Sequence, residues 1–181
     1  HFRSLLPFFG FSDNRVFYSG NPDLNPEFTD SYEAGYLRYW EKATLYSGIY
    51  YRHRTGVVDR IYSVDSTGFT TILPVNLATQ DAYGFEFNYQ HTFTDWWRAN
   101  ANLNLFYSTT VGQYEGVDYD AKTFASQGRV VNRFTIWKSD LQLSFGFRGP
   151  QNTTQGNTLG IYTLDIGWSR DVLNGDGTLA L

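Results

Sequence analysis

The chain has 181 residues with 14 basic and 18 acidic side chains, a net charge of −4 and a pI near 5.2, a balance that argues against a general nucleic-acid binder. Cysteine is absent, which removes disulfides, Cys-ligated zinc and thiol nucleophiles from consideration. Aromatics make up 19% of residues, a composition suited to strands and interfaces, and no apolar run approaches the roughly 18 residues of a transmembrane helix.

In chain order, residues 1–26 read as an irregular loop, with Gly10, Gly20, Pro22 and Pro26 punctuating an apolar Leu5-Leu-Pro-Phe-Phe9. A strand follows over about 28–40, with Tyr32, Ala34, Tyr36 and Trp40 on one face and Ser31, Glu33 and Gly35 on the other. Its register is less clean further on, because Leu37 and Tyr39 fall on the polar side and Arg38 on the apolar one. After a short turn at 41–43, Leu45, Ile49 and Tyr51 alternate with Tyr46, Gly48, Tyr50, Arg52 and Arg54. Residues 57–80 read as a long connection.

The clearest ribbon is 81–109. Tyr83, Phe85, Phe87, Tyr89, His91 and Phe93 oppose Gly84, Glu86, Asn88 and Gln90. After a tight turn at 94–95, Trp97, Ala99, Ala101, Leu103, Leu105 and Tyr107 oppose Arg98, Asn100, Asn102 and Asn104. A second long connection, 110–124, carries Glu115, Asp118 and Asp120. Strands at about 125–137 and 141–148 are joined by the turn Lys138-Ser139, and a polar loop spans 149–159. The strand at 160–172 sets Tyr162, Leu164, Ile166 and Trp168 against Thr163, Asp165 and Gly167. Asn174-Gly-Asp-Gly177 reads as a hairpin turn into an unfinished last strand, the eighth.

Two kinds of protein alternate in this way. A soluble sandwich buries an aliphatic face and exposes Lys, Glu and Thr. Here the apolar face is heavily aromatic and the polar face is Asn, Gln, Gly and Arg, which suits lipid on one side and a wet or plugged lumen on the other. The connections also alternate short and long along the chain, as in a barrel with trimmed turns at one end. Trp40, Trp96, Trp97, Trp137 and Trp168 all lie near the short turns, the expected place for an interfacial girdle. The expected fold is therefore all-β, an antiparallel up-and-down transmembrane β-barrel in the cell outer membrane. The unfinished last strand and the lack of Met mark the chain as an expected fragment of one larger barrel domain.

Gly20-Asn-Pro-Asp-Leu-Asn-Pro-Glu27 with Asp30-Ser-Tyr-Glu-Ala-Gly35 resembles the segment entering a barrel strand in TonB-dependent outer-membrane receptors. Asn76-Leu-Ala-Thr79, Tyr83-Gly-Phe-Glu86 and Tyr162-Thr-Leu-Asp165 are similar to the outer-membrane β-barrel branch of that superfamily. The resemblance implies about eight strands of a barrel of about 22. It also implies an N-terminal plug and terminal strands outside this chain, and ligand uptake energised by the TonB complex. Two other functions fit the wall: a structural or complex-forming barrel that binds surface lipoproteins, and a small eight-stranded barrel, which the crowding of Tyr46 and Tyr50 disfavours.

Lumen-facing candidates for a polar ligand are Arg52, Arg54, Glu86, Arg98, Arg129, Arg133 and Arg148, because guanidinium groups offer forked donors to carboxylates or phosphates. The competing reading is that these groups solvate the wall and pair with one another, together with Glu33, Asn88, Asn102 and Asp165. Ligand contacts are also expected in 57–80, 110–124 and 149–159. Glu115, Asp118 and Asp120 fit no complete calcium loop, and His1, His53 and His91 have no metal-ligand spacing. No catalytic residue, metal, cofactor or nucleic-acid partner is expected; outer-membrane lipid is.

Overall fold

The computed structural model describes residues 2–6, 9–13, 15–172 and 177–181. A 3₁₀ turn at Phe2–Leu5 is followed by β1 (Phe9–Asp13), β2 (Val16–Ser19), β3 (Phe28–Tyr39), β4 (Ala43–Val64), β5 (Thr70–Thr94) and β6 (Trp97–Tyr114). Then come β7 (Val117–Asp118), β8 (Ala121–Ile136), β9 (Ser139–Arg148), β10 (Gln151–Thr153), β11 (Gly156–Thr158), β12 (Ile161–Val172) and β13 (Gly177–Ala180). The fold is all-β. Contacts divide it into two compact units: residues 1–31, 52–81 and 109–121, and residues 32–51, 82–108 and 122–181.

The second unit is a meander in which neighbours follow the order β3, β4, β5, β6, β8, β9, β12, β13. These are the eight expected strands. Antiparallel register matches like with like: Val130, Phe145 and Leu164 form one apolar row, and Phe134, Leu141 and Trp168 another. On the opposite face Arg133, Gln142 and Gly167 form one row across β8, β9 and β12, and Val131, Ser144 and Asp165 another. A slip of one residue would reverse every side chain, so the two-faced pattern itself holds the register. β3 pairs only with β4, and β13 is paired to β12, so among the described residues the first and last strands of the meander do not join.

Glycines let aromatic rings lie flat on the polar face. A Cβ at Gly84 would come within 2.0 Å of the Tyr50 ring, and one at Gly35 or Gly48 would meet Tyr46 at 2.8 or 2.6 Å. Tyr50 is buried, its hydroxyl donating to Asn104 Oδ1 at 3.2 Å. The two tyrosines thus lie along the wall instead of projecting from it, contrary to the crowding expected from their size.

The first unit corrects the expected connections. Residues 57–80 are mostly strand: β4 continues to Val64, β5 starts at Thr70, and only 65–69 turn. The β-branched density of Val57, Val58, Ile61, Thr70, Thr71, Ile72 and Val75 outweighs the breakers Gly56 and Pro74. Val57, Ile61, Val75, Leu77 and Ala78 bury together, with Leu73, Tyr114 and Tyr119 against them. Residues 110–124 likewise hold the end of β6, β7 and the start of β8, with Glu115 (φ 50°) and Gly116 (φ 80°) forming the paired positive-φ turn of a tight hairpin. In the meander unit, 149–159 contains the hairpin β10–β11.

Residues 1–26, expected to be irregular, contain the hairpin β1–β2, and β2 runs parallel to β5 from Val16↔Thr70 to Tyr18↔Ile72. A long-range partner supplies these short strands with the rungs they cannot make alone. The turn before β9 is Trp137-Lys138, one residue earlier than expected, and the expected turn at 174–177 lies, except for Gly177, outside the described residues.

Candidate functional site

Polar faces of five adjacent strands converge on an open groove in the meander unit. It is lined by Glu86 and Asn88 of β5, Asn102 and Asn104 of β6, Gln127 and Arg129 of β8, Arg148 of β9, and Thr163 and Asp165 of β12. Gly128 and Gly146 keep its floor low, since a Cβ at Gly146 would sit 2.7 Å from Thr163 Oγ1. Arg129 Nε donates to Ser144 Oγ at 2.7 Å, and Ser144 is almost wholly buried, so the guanidinium is aimed by the wall. Its Nη2 lies 3.8 Å from Asp165 Oδ2. Both side chains are more than half exposed, so this ion pair is weak and open to exchange for another anion.

Three of the seven candidate residues, Glu86, Arg129 and Arg148, therefore share one groove. Arg98 and Arg133 line a second, nearer the short turns, with Gln90, Asp140 and Gln142. There Arg133 Nε donates to Gln142 Oε1 at 3.0 Å, and Thr135 Oγ1 to Asp140 Oδ1 at 2.6 Å. Sequence alternation put these groups, Tyr50 included, on one face; it carried no signal for the bonds of Tyr50 and Ser144, which depend on cross-strand neighbours.

Arg52 and Arg54 belong to the other unit. Arg54 is committed to structure: it clasps Glu27, with Nε donating to Oε1 at 3.0 Å, and its Nη1 donates to Gln80 Oε1 at 2.9 Å. Gln80 Nε2 passes the chain on to Thr110 Oγ1 at 3.0 Å. Burial pushes the Glu27 carboxyl up, but the hydrogen bonds from Arg54 and the Val58 N–H, with the guanidinium charge, outweigh it and hold the group below its ordinary range.

The segment from Asn21 to Glu27 is pinned to the same unit's strands. Asn21 Nδ2 donates to the Pro74 carbonyl at 3.0 Å. The Asn25 N–H donates to Asn76 Oδ1 at 2.7 Å, and Asn76 Nδ2 donates to the carbonyls of Asn25 and Gly56 at 2.9 and 2.7 Å. Two of the sequence segments singled out above, 20–27 and 76–79, thus meet at Asn25 and Asn76.

The apolar face carries aromatic rows at two levels. At the short-turn end His91, Phe93, Trp97 and Phe134 stack in succession, with Phe93 and Trp97 centroids 4.1 Å apart. Trp97 Nε1 donates to Asn132 Oδ1 at 3.1 Å, satisfying the one polar residue on that face of β8 between Val130 and Ile136. Trp96 stacks on Trp97, Trp40 lies under Arg38, and Trp137 projects from its turn, 97% exposed at φ 55°. Trp168 is half-buried at the matching end of β12. At the other level Tyr32, Tyr51 and Tyr83 stack across β3, β4 and β5.

Tyr83 and Phe93 stand ten residues apart on β5. At roughly 3.4 Å per residue and a tilt of roughly 40°, that separation is about 26 Å, the height of a bilayer's apolar band.

Asp118 accepts from Gln113 Nε2 and Asp120 from the Gly112 N–H, so the acidic residues of 115–120 serve their own hairpin. Among the described residues no group of three His, Asp or Glu side chains is placed to hold a metal. His53 Nδ1 lies 2.8 Å from Asp81 Oδ1, and Tyr89 Oη 2.6 Å from His91 Nδ1.

A family model described as "Outer membrane protein beta-barrel family" matches residues 1–181. No curated protein matches the chain.

Proposed function

The chain belongs to the outer membrane protein beta-barrel family and resides in the outer membrane, and from that premise we propose that it forms wall of a TonB-dependent receptor taking up a ligand through a plugged lumen. The observation that carries this reading is the groove holding Glu86, Arg129 and Arg148 on the face turned from lipid. Both signs of charge and several amides there suit a polar partner that must bind and then release, either a plug or a passing ligand. An N-terminal plug and the TonB complex are the proposed partners, the role is non-enzymatic, and residues 57–80, 110–124 and 149–159 are the proposed ligand-capturing segments.

Uptake by cells carrying the full-length protein tests the reading. Transport should stop when TonB is deleted and fall when Arg129 and Arg148 are both changed to Gln; uptake indifferent to TonB overturns it. Co-purified surface lipoproteins without any TonB-dependent uptake would instead select a structural, complex-forming barrel.

A further inference from the structure

We propose that Arg38 and Trp40, on the lipid-facing side of β3, seat the phosphate of a phospholipid in the leaflet at the short-turn end. The proposal rests on family membership and the observed faces, not on the receptor reading. The face follows from contacts. Tyr32 stacks on Tyr51, whose ring also stacks on Tyr83, so the even positions of β3 share the aromatic side of β4 and β5. Arg38 is on that side, its Cζ 5.0 Å from the centre of the Trp40 ring and its Nη1 3.5 Å from Tyr36 Oη.

A guanidinium facing hydrocarbon is costly unless it reaches the headgroups or finds an anion. Arg38 reaches them: Trp40, two residues on, donates its backbone N–H to the Ala43 carbonyl at 2.7 Å, closing the turn at the end of the strand. Among the described residues no carboxylate lies within ion-pair distance of Arg38. The indole holds one face of the guanidinium, and most of its five donors stay available to a phosphate in the fork geometry that arginine offers. Short turns face the periplasm in outer-membrane barrels, and the ligand of that leaflet is a phospholipid phosphate.

Arg170 is the internal comparison. It lies two residues past Trp168, on the same apolar side of β12 and near the same end, but no ring lies beneath it among the described contacts.

Native mass spectrometry of the full-length protein, extracted in mild detergent and titrated with phosphatidylglycerol, tests the seat. Arg38→Gln should weaken phosphatidylglycerol binding about fivefold. Arg38→Lys should show a smaller loss, and Arg170→Gln little change. Heat-modifiable gel migration verifies that each variant is folded, and Arg38→Lys carries the test if Arg38→Gln does not fold. Unchanged binding in the Arg38 variants, an equal loss in Arg170→Gln, or preferential binding of lipid A over phosphatidylglycerol would each overturn the proposal.

Discussion

Tyr50 lies flat because residue 84 has no side chain to lift it. Gly84→Ala would force a Cβ into the ring, so the variant should lose about 1–3 kcal/mol of stability, read from the urea midpoint of unfolding in lipid. Adding Tyr50→Ala should recover part of that loss, because two residues sharing one space do not act additively. Trp97 likewise depends on a partner in another strand. Its indole N–H is spent on Asn132, so Trp97→Phe leaves an amide oxygen unpaired against lipid and should cost about 1–3 kcal/mol. Trp97→Phe in an Asn132→Leu background should cost clearly less. Alternation alone assigned Trp97 to the apolar face, yet it also put Asn132 there with no reason for it. The reason is a partner 35 positions away.

The β4–β5 hairpin shows what an element can hide. Its far half was expected to be loop, with Asp65-Ser-Thr-Gly68 and Pro74 punctuating it. Only the first is a turn, where Asp65 Oδ1 accepts from the Thr67 and Phe69 N–H groups at 2.8 and 3.0 Å. Gly56 takes a positive φ of 65° inside a strand, close to the Pro26 carbonyl, and the Pro74 carbonyl accepts from Asn21. Such breakers mark where segment 21–27 is fastened. Asn76→Ala should speed amide exchange at residues 21–27 while leaving heat-modifiable migration unchanged. The Glu27 clasp adds a pH term. Because its folded pKa is depressed, its contribution is present above the unfolded value and is lost as pH falls through the folded one. Exchange in this segment should therefore rise on acidification below about pH 4, and Glu27→Gln should remove that dependence.

For the molecule as a whole, the fold depends on the two faces of the meander, and neighbouring positions on β12 test them. Leu164→Arg should destabilise the barrel by about 2–4 kcal/mol, the cost of arginine near the bilayer midplane, whereas Asp165→Asn should stay within about 1 kcal/mol. Unfolding titrations in lipid vesicles separate the two, and equal effects would mean that the faces are misassigned. The all-β class, the eight meander strands, their two faces and the end at which tryptophan gathers were all legible in the amino-acid order. Each follows from a period of two acting locally, and that period is written residue by residue. What tertiary structure decided was which polar residues meet. Glu86, Arg129 and Arg148 share a groove while Arg54 is locked to Glu27, and Asn25 binds Asn76 across 51 positions. Alternation specifies the side of a strand on which a group stands, but its neighbours depend on register between strands and on which backbone segments pack together.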